Sequence, residues 1–442
     1  MIGGCLQTVD QLMELVWAGF LSFLAIASIG VAQGWVQLFN TARMGIDTAV
    51  RASISRAVGA NDLPLATHIA TQSLVLNLAL STTLMIIGVT FSEYFLRVLG
   101  VSDELIEVGG GYMKFRFVST TSFAFLFATS SILQASGDSI TPMKAVALGR
   151  IIDLFLSPTL IFGLLWFPSL GLPGAAISAS IGQFTGFAFA FRALFTGKSR
   201  LRLSMKDVPP DFPLWGRLLR IGIPAAVTSG ERSLAQLILV GIVAPFGDVS
   251  LTAYALSQRV QMFIGLGQQG VGQAAGVLVG QNLGAKQLFR AKATTWWALC
   301  FTSAISLLIG GAILAFPSLF LSIFTRDQHV LDVAVRWLQI MVFGFIAMGV
   351  GNVFMQVFNT AGDTLAPMLV TLGSIWGVQQ PGAIILSSAT ESVSILGLQV
   401  PVPAPGLGEF GIAWAVILAM IARLFVYFPY FLWAPWWSKR VN

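Results

Sequence analysis

Residues 297–316 read WALCFTSAISLLIGGAILAF, twenty consecutive positions without a charge. As a helix that run rises about 30 Å, the thickness of a bilayer's hydrocarbon core. It is one of several. Residues 176–195, AISASIGQFTGFAFAFRALF, carry a single charge, and FAFLFATSSIL (123–133) repeats the pattern with its flanks. Only 10% of the 442 residues are charged and 56% are hydrophobic. Such a chain cannot build a soluble surface, so lipid must cover it. The spans must be helical, because the segments lack barrel-like alternation and a bilayer leaves no backbone group unpaired. The 45 glycines and 18 prolines suit packed, kinked membrane helices.

The formal charge of +6 raises the possibility of nucleic acid as a partner, and its distribution argues against it. Lys198, Arg200, Arg202, Lys206, Arg217 and Arg220 cluster around one mid-chain segment; Lys286, Arg290 and Lys292 follow a later apolar run. Lys439 and Arg440 end the chain, whereas 164–172 and 387–407 contain neither Lys nor Arg. That alternation is the positive-inside pattern. It predicts a multi-pass protein of the cell's inner (cytoplasmic) membrane with both termini in the cytoplasm. The lipid bilayer is then a partner by composition alone. Cys5 and Cys300 lie in apolar stretches, and His68 and His329 are isolated, so no disulfide framework or metal site is expected. No nucleotide-binding or hydrolase motif is present, and the expectation is a protein that is not an enzyme and has no cofactor. No obligatory protein partner is evident.

The chain also repeats itself. LQASGDSITPM (133–143) returns as FNTAGDTLAPM (358–368), with the aspartates 363 − 138 = 225 residues apart. The same offset lays LGAKQLFRA (283–291) over VGANDLPLA (58–66) and Gln258 over Gln33. GLPGAAISA (171–179) and GEFGIAWAV (408–416) match at 237, so the second half has gained 12 residues before that point. Several matches in one order make a duplication. Counting apolar segments between these landmarks gives six per half, predicting an all-α membrane protein of twelve spans in two six-helix lobes. An even number of spans per half makes the repeats parallel. The expected boundaries are an N-terminal lobe at 1–197, a cytoplasmic linker at 198–215 and a C-terminal lobe at 216–442. The insertion is expected outside the cell near 387–410, extended rather than helical because of its alternating prolines. In SGDSITP and AGDTLAP, Gly ends one helix, Asp with Ser or Thr caps the next, and Pro sits in its first turn.

Along essentially its whole length the chain resembles the multidrug and toxic compound extrusion (MATE) exporters. The motifs that carry the likeness are SRAVGAND and VGQNLGAK after the second helix of each half, ASGDSITPM and TAGDTLAPM between the fourth and fifth, and GLPGAAIS opening the sixth. The likeness is closer to the DinF-like than to the NorM-like branch. It implies an antiporter with H⁺ or Na⁺ as the coupling ion and a small organic molecule as substrate.

Ionisable groups within spans are the first place to look for function. QTVDQLMELVWAGF sets Asp10 and Glu14 on one face of the first helix, at i and i+4. DinF-like relatives carry an acid there, followed by an apolar or Trp position three residues on and Gly sixteen on; Glu14, Trp17 and Gly30 fit that spacing. The plainer alternative is that both acids face water near a helix end. In GRIIDLFLSPTLIFG (149–163) the family's Asn and Asp positions are held by Asp153 and Ser157, before Pro158. Glu14, Asp10, Asp153 and Ser157 are therefore the ion-coupling candidates, although Arg150 is placed to neutralise Asp153. Ser178, one helix on, offers a neutral oxygen. Arg43, Asp47 and Arg51 form an i, i+4 ladder in the second helix that reads as mainly structural, with Asp47 and Arg51 kept as cavity candidates. Glu231 and Arg232 lie inside the seventh helix, one position out of register with the NorM-like glutamate, so a NorM-type cation site is not supported. Glu231, Gln33, Gln258 and Trp17 complete the cavity and substrate candidates.

The function these readings predict is secondary antiport: export of organic, cationic, amphipathic compounds in exchange for H⁺ or Na⁺, by alternating access of a cavity between the lobes. The rivals are a lipid-linked precursor flippase of the same superfamily, disfavoured by few basic residues within spans, and a membrane protein without a transport cycle. The repeat also predicts that the first helix is incomplete, because the partner of a seventh helix starting near Arg217 falls at 217 − 225 = −8.

Overall fold

The structure is a computed structural model. It describes residues 13, 17, 20, 21, 23–98, 103–164, 168–197, 199–203, 209–322, 324–325, 327–388, 392–395, 398–401 and 406–438. Eleven long helical segments follow one another: α1 (Phe23–Gly59), α2 (Leu63–Thr90), α3 (Asp103–Ser136), α4 (Ile140–Phe162), α5 (Leu172–Phe195) and α6 (Phe212–Val243), then α7 (Asp248–Gly284), α8 (Leu288–Ala315), α9 (Gln328–Thr360), α10 (Leu365–Ser387) and α11 (Glu409–Trp433). Single helical positions at Met13, Trp17, Phe20 and Leu21 precede α1. Nine of the described helices are long and apolar enough to cross a membrane. The two long helices outside that set are α1 and α7, each 37 residues and interrupted by polar side chains.

The duplication is written into the element ends. α1 and α7 end 284 − 59 = 225 residues apart, and α2 and α8 share that offset at both ends. Backbone irregularities repeat as well. Asn61 and Lys286 both have φ +58, and Gly137 and Gly362 turn through φ +100 and +85. After each of those glycines the aspartate N–H donates back, Asp138 to the Leu133 carbonyl and Asp363 to that of Phe358, both at 2.9 Å.

The Cα packing forms two compact units, one holding Met1–Ala226 and Gly284–Lys286, the other Val227–Leu283 and Gln287–Arg440. The first is cored by small and branched side chains such as Ala49, Ile54, Ile69, Ile132 and Leu194. The second has one core around Trp337, Phe345 and Ile412 and another around Phe354, Phe358, Phe431 and Trp436.

Three details differ from the expectations. α6 begins at Phe212, ahead of Arg217 and inside the expected 198–215 linker, because the Asp211 carboxylate accepts the Leu214 N–H at 3.0 Å and caps the helix there. The all-α architecture has one exception: Ser392–Ile395 and Leu398–Pro401 pair as an antiparallel hairpin within the inserted segment, so the expected extended chain is made of paired strands. The two repeated phrases also use their acids differently. Asp138 caps α4, accepting the Thr141 N–H at 3.0 Å and its hydroxyl at 2.6 Å, whereas buried Asp363 takes the Tyr430 hydroxyl.

Candidate functional site

In the N-terminal unit the chemistry is set by how closely α4 and α5 approach. A Cβ on Gly149 would lie 2.6 Å from the Gly182 carbonyl oxygen, and one on Gly186 would lie 2.6 Å from that of Ala145. Small residues at Gly174, Ser178, Gly182 and Gly186, each four apart, form the stripe on α5 that permits this contact. The approach delivers Ser178 Oγ to Asp153 Oδ1 at 2.6 Å, both side chains buried. That length is typical of a hydroxyl donating to a carboxylate. Ser178 Oγ also lies 2.9 Å from the Ala175 carbonyl, and its one proton goes to the stronger acceptor, the acid. Buried Ser157 stands one turn further along the same face of α4, beside the interior Pro158.

Trp17 packs edge-on to Phe162 at the end of α4, ring centroids 6.3 Å apart, and its buried ring N–H has no hydrogen-bond partner among the described residues. Asp10 and Glu14 lie outside the described residues. Gln33 is half-buried on α1. Lower on the same helix, Arg43 and Asp47 form a buried ion pair at 2.9 Å, with the half-buried Arg51 a second charge neighbour of the acid. The Arg43 guanidinium also faces the rings of Phe123 and Phe127 at 5.1 and 5.3 Å. Those faces replace part of the hydration that its Nε and Nη2 groups, buried without acceptors, have lost.

The C-terminal unit holds a different group. Glu231 on α6 is buried, and neither carboxylate oxygen accepts a hydrogen bond. Its charge neighbours are Arg423 of α11 and the adjacent Arg232. Arg423 Nε donates to Ser374 Oγ at 3.1 Å, while Arg232 Nη2 reaches only the Met355 thioether at 3.0 Å. Ser374 immediately precedes a π-helical turn, Ile375–Gln379, which interrupts α10; such turns recur at functional sites. Gln258 lies apart from this group. Its Nε2 donates to Tyr254 Oη at 2.7 Å, and both line a cavity of about 10 Å³ with Gln261, Trp337 and Met341, room for about one water.

Of the sequence candidates, the structure therefore brings Asp153, Ser157 and Ser178 together in the N-terminal unit, with Asp47 and Arg51 paired elsewhere in that unit, and sets Glu231 and Gln258 apart within the C-terminal unit. Arg423, Ser374 and Tyr427 were not among the candidates. The signal for Arg423 was present: it is the only charge between Glu409 and Lys439, in the middle of an apolar span.

Two six-helix halves with ionisable groups buried mid-span define a membrane carrier rather than an enzyme. The MatE family pattern matches residues 1–159 and 224–385, well over half of the chain, and the chain belongs to that family of membrane transporters. Among curated relatives, "Probable multidrug resistance protein YoeA" of Bacillus subtilis (strain 168) is 26% identical over 429 residues, covering 95% of this chain and 90% of its own. A "FAD transporter" of Shewanella oneidensis is 23% identical, covering 86% of this chain and 83% of its own. Among solved structures, a mutant of the Vibrio cholerae MATE transporter VcmN superposes with a TM-score of 0.87 at 20% identity, over 99% of this chain and 96% of that one. That likeness establishes the fold, a helical membrane bundle of the twelve-span MATE type.

Proposed function

We propose that this chain is a secondary antiporter of the inner membrane, exporting amphipathic organic compounds, cations among them, in exchange for H⁺ or Na⁺ by alternating access. The observation that carries the reading is Asp153: a carboxylate buried mid-span and held by the Ser178 hydroxyl, in a chain whose relatives include a probable multidrug resistance protein. A mid-span acid is costly to bury, and binding a proton or Na⁺ removes its charge from the apolar interior. Ion occupancy that stabilises one conformation over the other then couples the gradient to export without ion and cargo touching. Glu14 is the main coupling group in this reading, with Asp153, Ser157 and Asp10 shaping its affinity. Both termini and the linker lie on the cytoplasmic side, as the clusters of Lys and Arg suggest.

The test is efflux of a fluorescent organic cation from proteoliposomes under a pH gradient and a Na⁺ gradient imposed separately. Glu14→Gln should abolish gradient-driven export in an intact, inserted protein, and Glu14→Asp should retain part of it. Asp153→Asn should change the ion dependence without ending transport. Wild-type export by Glu14→Gln under both gradients would overturn the N-terminal carboxylate mechanism.

A further inference from the structure

The group on α6, α10 and α11 is rich in donors and poor in acceptors. Arg232 and Arg423 bring five N–H donors each. Among the described residues, the bonds they make are to one serine hydroxyl and one thioether, the latter a weak acceptor. The buried hydroxyls of Tyr427 and Thr371 lie beside each other, next to the guanidinium of Arg423. Glu231 is the one acid of the set and closes no hydrogen bond with either arginine. With Glu231 ionised the three charges sum to +1. An added cation would raise that to +2, whereas a monoanion would cancel it and supply the missing acceptors.

The repeat shows that this arrangement is particular to one half. Arg423 corresponds to 423 − 237 = 186 and Ser374 to 374 − 225 = 149. Both are glycines in the first half, where they close α4 against α5. The C-terminal unit has a guanidinium and a hydroxyl where its twin has backbone contact. Arg232 and Arg423 are half-buried, so their guanidinium edges stay open to an ion, and one that pairs with them offsets the cost of holding that charge within a span.

We infer that Arg232 and Arg423, with Tyr427, Thr371 and Ser374, form a subsite for the oxyanion group, carboxylate or phosphate, of an organic cargo, and that Glu231 is its internal competitor. The cargo class then extends from cations to anions and zwitterions; this rests on the transport reading only where export is measured. Guanidinium pairs suit oxyanions because their planar N–H forks match two oxygens at once. Glu231 holds that place electrostatically in the empty site, and an arriving anion must work against its charge.

The experiment measures binding of carboxyfluorescein (an anion) and ethidium (a cation) to the purified full-length protein by fluorescence anisotropy. Arg423→Gln should weaken carboxyfluorescein binding about tenfold or more, since each charge-assisted bond is worth about that factor. Arg423→Lys should recover part of the loss. Glu231→Gln should tighten carboxyfluorescein several-fold, a sign that a purely structural ion cluster does not produce. Ethidium should not follow carboxyfluorescein: its affinity should not fall in Arg423→Gln and should not rise in Glu231→Gln. Thermal unfolding verifies each variant; should Arg423→Gln fail to fold, the isosteric Glu231→Gln decides by sign. Unchanged or weakened carboxyfluorescein binding in Glu231→Gln would overturn the proposal, as would wild-type affinity in folded Arg423→Gln. Absence of ethidium export under either gradient would instead count against the transport reading, leaving the binding result to stand or fall alone.

Discussion

Replacing Gly182 with alanine tests whether the α4–α5 contact exists in order to hold Asp153. The added Cβ would lie 2.4 Å from the Gly149 carbonyl oxygen and 3.2 Å from Asp153 Cβ. Ordinary contact begins at 3.4 Å, and the nearer atom is backbone, so α4 and α5 must separate by 3.4 − 2.4, about 1 Å. The Ser178–Asp153 bond of 2.6 Å would then stretch to about 3.6 Å, past the limit of a hydrogen bond. Two costs follow: overpacking of about 1–3 kcal/mol, and loss of the charge-assisted bond, about 1–2 kcal/mol within a membrane bundle.

A double-mutant cycle separates these costs. Ser178→Ala removes the bond and leaves the backbone contact in place. Gly182→Ala removes both, so the double variant should be less destabilised than the sum of the single ones, by about 1 kcal/mol or more. The assay is reversible unfolding in mixed micelles, with gradient-driven efflux alongside: both single variants should shift the half-saturating ion concentration in the same direction. Additivity within about 0.3 kcal/mol would refute the argument, since it would mean that the hydroxyl and the carboxylate are neighbours without an energetic link.

Other expectations follow from separate parts of the chain. A cysteine at Ser394, in the first hairpin strand, should react with a membrane-impermeant maleimide added to whole cells; labelling only after permeabilisation would invert the proposed topology. Arg43→Gln should destabilise the N-terminal unit by about 3–5 kcal/mol, because it leaves Asp47 buried without its ion pair, and a matched Asp47→Asn change should restore much of that in an unfolding assay. Before α6, Gln72 accepts the Asp211 N–H and the Trp215 ring N–H, both at 3.0 Å, and His68 Nε2 lies 3.0 Å from Asp211 Oδ2. The His68 hydrogen bond, then the Leu214 N–H, hold the Asp211 carboxyl below its ordinary value. A depressed carboxylate contributes fully above its unfolded pKa and loses that contribution as pH falls through the folded one. Amide protection of 211–215, corrected for intrinsic exchange, should therefore be constant near neutrality and fall only below the ordinary carboxylate range, and Asp211→Asn should abolish that dependence.

Much of this architecture was legible because it rests on local signals. Hydropathy marks the spans, and the 225-residue offset predicted from a few motifs reappears in both ends of α2 and α8 and in the C-terminal ends of α1 and α7. Asp153 and Ser178 could be singled out as an acid and a hydroxyl on successive helices, but only the glycine contacts at 149, 182 and 186 explain why they touch. The hairpin was less visible. Val393, Ile395, Leu398 and Val400 alternate around a two-residue gap, the pattern of a short hairpin, while the prolines that follow favour unpaired extended chain. Arg423 stands alone in an apolar span, outside every repeated motif. Its partners, Ser374 and Glu231, come from distant parts of the sequence, and no spacing rule joins them.

Where the halves agree, the residues serve the fold. Gly171 and Gly408 adopt nearly the same left-handed backbone, φ +59 and +54, at the entrance to equivalent helices. Conformations of that kind favour glycine whatever the cargo, so both copies keep it. Where the halves differ, the side chains are those that are expensive to bury. Asp153 corresponds to 378 − 225 = 153, and Val378 lies in the π-helical turn of α10. Gly186 and Gly149 correspond to Arg423 and Ser374. Duplication alone would have given both units the same chemistry, and a merely stable bundle has no use for either buried charge. The divergence makes one unit acidic at its α4–α5 pair and the other basic at α10–α11, the division of labour that the proposed ion coupling and mixed-charge cargo would use. Arg423→Gly with Ser374→Gly would restore the first-half residues in the second. That variant should stay folded, keep ion-dependent ethidium export and lose carboxyfluorescein binding; loss of ethidium export in a folded, inserted variant would show that the two units do not divide the work in this way.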